Sequence, residues 1–215
     1  MRKIDLKKDL MHLYAPSAKT VSIVDVPPMN FLAINGSGDP NASREGGDAI
    51  EALYALASAL KFKIKKGKTA IDYGVMPLGG LWWTDDMSTF SPTNEERWNW
   101  TMMTKQPKYV TEKLFAETLQ EVKKKKKLAA LGKAEFRAYH EGLAAQATHI
   151  GPYSEEGPTI AKVLAFISDG GYKLQGKQHE IYLGDPRKTA HRSYGRSFAN
   201  RLAESASSEA AGASG

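Results

Sequence analysis

Two amphipathic helical segments, each set among short alternating stretches, constrain this chain more than any other feature. In the first, Asp48 to Phe62, the residues Ile50, Leu53, Tyr54, Ala57 and Leu60 recur at three- and four-residue spacing. One stripe can therefore be buried. Lys61, Lys63, Lys65 and Lys66 suit its negative C-terminal pole, and Gly67 stops it. In the second, Ser154 is expected as N-cap, with Glu155 and Glu156 in the first turn. Ile160, Val163, Leu164 and Ile167 form its stripe, and Gly170-Gly171 closes it.

Strands are expected around both helices. Lys19 to Ile34 is extended but broken by Pro27-Pro28, which implies a bulge or an edge. Thr69 to Met76 follows the first helix, Pro77 to Gly80 is expected as a bend, and Leu81-Trp82-Trp83 opens the next strand. Trp98, Trp100 and Met102 alternate with Asn99, Thr101 and Met103. Glu135 to Ile150 is a polar-rich strand region with a turn or bulge at Glu141-Gly142, and Arg187 to Phe198 is a final strand candidate. The chain thus repeats the order strand, helix, strand, strand, over 19–105 and again over 133–198. A further helix at 110–127 joins the copies. Two such units predict an α+β fold: a curved antiparallel sheet, helices on one face, a ligand cleft on the other. Residues 1–18 are a charged lead-in, 19–198 one domain, and 203–215 a small, polar tail with little to bury.

Composition narrows the function. The chain has 215 residues, no cysteine and a net charge of +6. Without cysteine there are no disulfides or thiolate metal sites, and a cytoplasmic setting is the expectation. No apolar run reaches the length of a membrane span. Much of the positive excess lies in Lys123 to Lys127, expected as a solvated helix end. No basic stripe interleaved with aromatics accompanies it, which argues against a nucleic-acid surface. The histidines, 12, 140, 149, 179 and 191, lack paired metal-ligand spacing, and no cofactor or metal is expected. His149 and His179 are expected to make structural hydrogen bonds. There is no G-x-S-x-G elbow for a serine hydrolase, and NGSGDP at 35–40 lacks the lysine of a phosphate loop.

The stretch from Gln178 to Pro186 carries the most chemistry. Glu180 and Tyr182 share one strand face, Ile181 and Leu183 the other, and Gly184-Asp185-Pro186 ends the strand. A lone glutamate on a solvated strand is ordinarily decoration. All four tryptophans, however, lie between residues 82 and 100. Trp83, Trp98, Trp100, Met102 and Tyr139 are candidates either for the core or for the wall of a small-molecule pocket.

Together, His149-Ile150-Gly151-Pro152-Tyr153, Gly170-Gly171-Tyr172, Glu180-Ile181-Tyr182-Leu183 and Asp185-Pro186 resemble the GyrI-like small-molecule-binding domain. Leu53-Tyr54, Lys61-Phe62, Pro77-Leu78, Leu81-Trp82-Trp83, Trp98 to Trp100 and Pro107 are similar to its stand-alone branch. The resemblance implies a hydrophobic cleft between two copies, lipophilic and often cationic small-molecule partners, and a buried glutamate matched by Glu180. For some members it implies hydrolysis of cyclopropanoid DNA-alkylating natural products. Glu180 and Tyr182 are then the catalytic candidates, with Glu180, Tyr182, Trp83, Trp98, Trp100, Met102 and Tyr139 contacting ligand. A protein-partner role, such as protection of gyrase, is the remaining alternative. One departure stands out: this chain has Gly79 where the family often carries a glutamate before Leu-Trp-Trp.

Overall fold

The computed structural model describes residues 1–40, 42–87, 98–183 and 195–204. Its ten described strands are β1 (Arg2–Ile4), β2 (Ser22–Val26), β3 (Met29–Ser37), β4 (Ile71–Tyr73), β5 (Leu78–Trp83), β6 (Asn99–Lys105), β7 (Glu135–Tyr139), β8 (Gly142–Ile150), β9 (Tyr172–Tyr182) and β10 (Gly195–Glu204). Its five described α-helices are α1 (Leu6–Asp9), α2 (Met11–Tyr14), α3 (Arg44–Lys66), α4 (Glu112–Lys125) and α5 (Gly157–Asp169). Eight strands form one antiparallel sheet in the order β2-β8-β10-β9-β5-β6-β3-β7, while β1 and β4 pair in parallel beside it.

The strand order shows the duplication directly. In the first unit β3 lies beside β6, and β6 beside β5; in the second β8 lies beside β10, and β10 beside β9. The two units meet where β5 pairs with β9. Each unit also donates the strand before its first to the other: β2 pairs with β8, and β7 with β3. This exchange bends the sheet. β2 and β3 are separated only by Pro27-Pro28, and β7 and β8 only by His140-Glu141, yet each pair lies far apart in the strand order. A two-residue link reaches only about 10 Å, so the sheet must curl until its ends approach.

Both long central helices cover the same face. Leu53 and Leu56 of α3 join Leu32 and Ile34 of β3 in the main core. Val163 and Ile167 of α5 pack on Ala145 and Ala147 of β8 in a smaller cluster. Register places Ile34, Met102, Gly80, Glu180, Phe198 and Ala147 in one cross-strand row, so α3 and α5 lie on one face. The concave face is filled differently. Leu13 and Tyr14 of α2 meet Phe31, Gln146, His179 and Ile181 there, around a cavity of about 20 Å3, room for one water. The Gln146 amide donates to the His12 carbonyl at 2.6 Å and the Thr148 hydroxyl to the Pro16 carbonyl at 2.8 Å. The lead-in is thus a plug for this face.

Several local expectations change. α3 begins earlier, at Arg44, because Ser43 caps it by accepting from the Glu45 amide. Ser154 does not cap α5: Tyr153–Glu155 is a separate 3-10 turn, Glu156 is the N-cap, and a proline sits in the first turn. Gly79-Gly80 is strand rather than bend, paired on both sides. The strand expected over 69–76 shortens to Ile71–Tyr73. β10 runs to Glu204, so residues 203 and 204 belong to the sheet and not to a tail. The joining helix shortens from 110–127 to Glu112–Lys125, with Lys126 as C-cap and Lys127 beyond it, and Lys123 to Lys127 are all exposed, as expected. The turn at 184–186 and the tail beyond 204 lie outside the described residues.

Candidate functional site

Glu180 lies near the middle of β9, at the junction of the two units. Its side chain points to the helix-bearing face, whereas the sequence placed Glu180 and Tyr182 on the face opposite the helices. It stands on the strip of sheet between the parts covered by α3 and α5, with Gly80 opposite it on β5 and Phe198 opposite it on β10. The residue is 5% exposed. A charge at such depth needs partners, and Glu180 has three. Gln178 Nε2 donates to Oε1 at 2.9 Å, and the Tyr182 hydroxyl and Arg196 Nη1 donate to Oε2 at 3.0 and 2.9 Å. Alternation explains the first two, since Gln178 and Tyr182 flank Glu180 on one face. Arg196 faces Tyr182 from β10, with its guanidinium 4.9 Å from the phenol ring centroid. The same Nη1 also donates to Glu156 at the start of α5, at 2.8 Å, tying the helix to the site.

A carboxylate offers about four lone-pair sites. Among the described residues three are used, two on Oε2 and one on Oε1, leaving one on Oε1 for a water or a ligand proton. The single proton of Tyr182 is committed to Glu180.

The aromatic candidates separate into two groups. Trp98 and Trp100 share the face of Glu180, as does Met102 in its cross-strand row. Trp100 is fully buried, and its ring packs where a Cβ on Gly36 would stand. Trp83 and Tyr139 do not reach this face. They pack on the concave side around Phe31, Leu81 and Met103, with Lys177 Nζ 3.2 Å from the Trp83 ring centroid and Tyr139 edge-on to His179. Trp82, passed over in favour of its neighbour, takes the expected place of Trp83. Its ring centroid is 5.4 Å from that of Trp98, and its indole nitrogen lies over Gly80, in register with Glu180. Arg196 and Glu156 were also missed, since nothing local in their sequence signals a partnership across 40 residues.

The concave face holds a second buried polar pair. His179 Nδ1 and Glu141 Oε2 are 2.8 Å apart, and the Glu141 side chain is 1% exposed. Burial raises the Tyr14 phenol far above its usual value, and the Glu141 charge adds to the effect. A Cβ on Gly79 would stand 3.2 Å from His179 Nε2, so a side chain at this position would face His179 and not the carboxylate of Glu180. His149 is structural as expected: Nε2 donates to the Pro152 carbonyl and Nδ1 accepts from Thr159. Among the described residues no cluster of His, Asp and Glu fits a metal, and no described helix is long and apolar enough to cross a membrane.

Comparison with known proteins agrees with this architecture. The GyrI-like small molecule binding domain matches residues 19–194. The chain belongs to that family. Among solved structures, an uncharacterized conserved protein from Listeria innocua is 32% identical, with a TM-score of 0.86 over 93% of this chain and 100% of that one. A hydrolase from Listeria innocua is also 32% identical, with a TM-score of 0.83 over 94% of this chain and all of its own. The C-terminal domain of EcmrR shares the fold at 11% identity and a TM-score of 0.56, over 86% of this chain and 98% of that one. No curated protein matches.

Proposed function

We propose that this GyrI-like domain binds lipophilic small molecules on the strip of sheet between α3 and α5, over Trp82, Trp98 and Tyr182, with Glu180 at its base. The observation that carries this reading is the Glu180 carboxylate itself. It is buried on an aromatic-lined floor at the junction of the units and keeps one acceptor position on Oε1 uncommitted. Aromatic surface supplies affinity by removing apolar ligand area from water, and the open lone pair supplies a point of polar contact.

Hydrolysis is the second reading, favoured by the likeness to a hydrolase over nearly the whole chain. Here Oε1 accepts a proton from a water and directs that water at an electrophilic carbon of the ligand. Tyr182 and Arg196 act as positioning residues that fix the carboxylate. The water's oxygen bonds to carbon, the strained carbon–carbon bond of a cyclopropanoid opens, and a proton returns to the opened product. The test is incubation with a cyclopropanoid alkylating compound, followed by mass spectrometry. Turnover with a mass gain of one water supports hydrolysis, and Glu180→Gln should lower its rate by about 10²-fold or more. Binding with no mass change leaves a sequestering domain. Absence of both rejects the site.

A further inference from the structure

We propose that Trp82 is the specificity-determining residue of this site: its buried indole N–H is the hydrogen-bond donor for the ligand, and selects a neutral molecule bearing a carbonyl or similar acceptor oxygen. The inference rests on the binding role proposed for the Glu180 strip.

Two independent observations carry it. The first is an orphaned donor. Trp82 is 5% exposed, and its Nε1 has no hydrogen-bond partner among the described residues. A buried N–H with no acceptor is costly and uncommon, and an indole can only donate. Its position is defined: the nitrogen would stand 2.9 Å from a Cβ on Gly80, so the ring edge occupies the space that glycine leaves open directly across from Glu180. Trp100 Nε1 is also without a partner, but that ring is fully buried over Gly36 on β3, two strands beyond β5. Of the two indoles, Trp82 is therefore the one next to the carboxylate.

The second observation is the charge state of the floor. Glu180 already has a guanidinium at 2.9 Å, and Arg196 is shared with Glu156. Glu156 in turn sits at the positive end of α5. A cationic ligand thus meets no carboxylate waiting for a counter-ion and must approach Arg196. With the Tyr182 proton and one Gln178 amide proton committed to Glu180, the Trp82 indole is the buried donor of this floor that still lacks an acceptor among the described residues. An acceptor oxygen on the ligand would satisfy it.

Three probes of one shape test this: benzophenone, diphenylmethane and the cation N-benzylpyridinium, titrated by calorimetry. Benzophenone should bind roughly tenfold tighter than diphenylmethane, the scale of one net hydrogen bond, and tighter than N-benzylpyridinium. Trp82→Phe, which keeps an aromatic ring but removes the N–H and part of the indole surface, should weaken benzophenone and diphenylmethane alike through lost area and should abolish the preference between them. Independently of how the variant folds, the Trp82 indole N–H resonance of the wild-type protein should move on adding benzophenone and hold still with diphenylmethane. Equal affinities with a stationary indole signal overturn the donor role, and tightest binding of N-benzylpyridinium overturns the neutral-ligand selection. If none of the three binds, the binding role of the strip fails and the inference falls with it.

Discussion

Removing Arg196 should be the most damaging single change in the site. In Arg196→Met the aliphatic bulk remains but Glu180 loses its counter-ion. The Glu180 side chain is 7% exposed, too deep for water to replace the guanidinium. Deleting one partner of a buried ion pair costs about 3–5 kcal/mol. Gln178 and Tyr182 still donate to the carboxylate, so the lower end, about 3 kcal/mol, is expected. For a chain of this length that corresponds to a fall in Tm of roughly 6–12 °C. Glu180→Gln should cost less, about 1–2 kcal/mol, because Arg196 keeps its 2.8 Å contact with Glu156. The double variant should be less destabilised than the sum of the two, since both halves of the pair are gone together. Urea unfolding of the four proteins at neutral pH measures all three values. A loss below about 0.5 kcal/mol in Arg196→Met, the range of an ordinary surface change, or strict additivity in the double variant, would refute a buried, coupled pair.

Further expectations follow from single contacts. Gly80→Ala places a Cβ 2.9 Å from the Trp82 indole nitrogen and should cost about 1–3 kcal/mol, with a change in tryptophan emission; unchanged emission and stability would contradict the packing described. Gly36→Ala should be worse, about 3 kcal/mol or more, because its Cβ would stand 2.1 Å from the ring of the fully buried Trp100. Hydrogen bonding to Lys65 holds the Asp72 carboxyl below its usual value, with the Lys65 and Lys61 charges adding to this. The stability it contributes is therefore complete above the ordinary carboxylate pKa and is lost as pH falls through the lowered folded value. Asp72→Asn should flatten that acid-side part of the stability–pH curve. Replacing Lys123 to Lys127 with glutamine should change stability by no more than about 0.5 kcal/mol, since all five are exposed, and should leave benzophenone affinity as it is.

The helices and the duplication were legible because they are written in local periodicity. Leu53, Ala57 and Leu60 of α3 and Val163 and Ile167 of α5 are buried as their spacing demands, while Ile160 is half-buried and Leu164, also expected in the α5 stripe, is exposed. Alternation also places Glu180 and Tyr182 on one face. What period alone does not state is which face of a strand the helices will cover, because that depends on the handedness of connections and on partners far away in sequence. Hence Glu180 joins the helix side, and Trp83 parts from Trp98 and Trp100. Trp82 and Trp83 are adjacent and chemically identical, so only the register of β5 with β9 separates them. Arg196 comes from a strand that runs past its expected end at Phe198 to Glu204, and its role depends on three residues drawn from β9 and the start of α5. The exchange of β2 and β7 between units was hidden for the same reason, although Pro27-Pro28 correctly marked the break.

Photocrosslinking with benzophenone tests the central claim most directly, because the excited ketone inserts into C–H bonds it touches. Irradiation of the protein–benzophenone mixture, followed by proteolysis and mass spectrometry, locates the bound ligand on the chain. Adducts concentrated on the peptides carrying Trp82, Trp98 and Tyr182, and lost on competition with excess unreactive diphenylmethane, are the expected result. Adducts confined to Phe31, Tyr139 and Trp83 on the concave face, or to the surface hollow between Val21 and Phe166, would contradict the placement of the binding site beside Glu180.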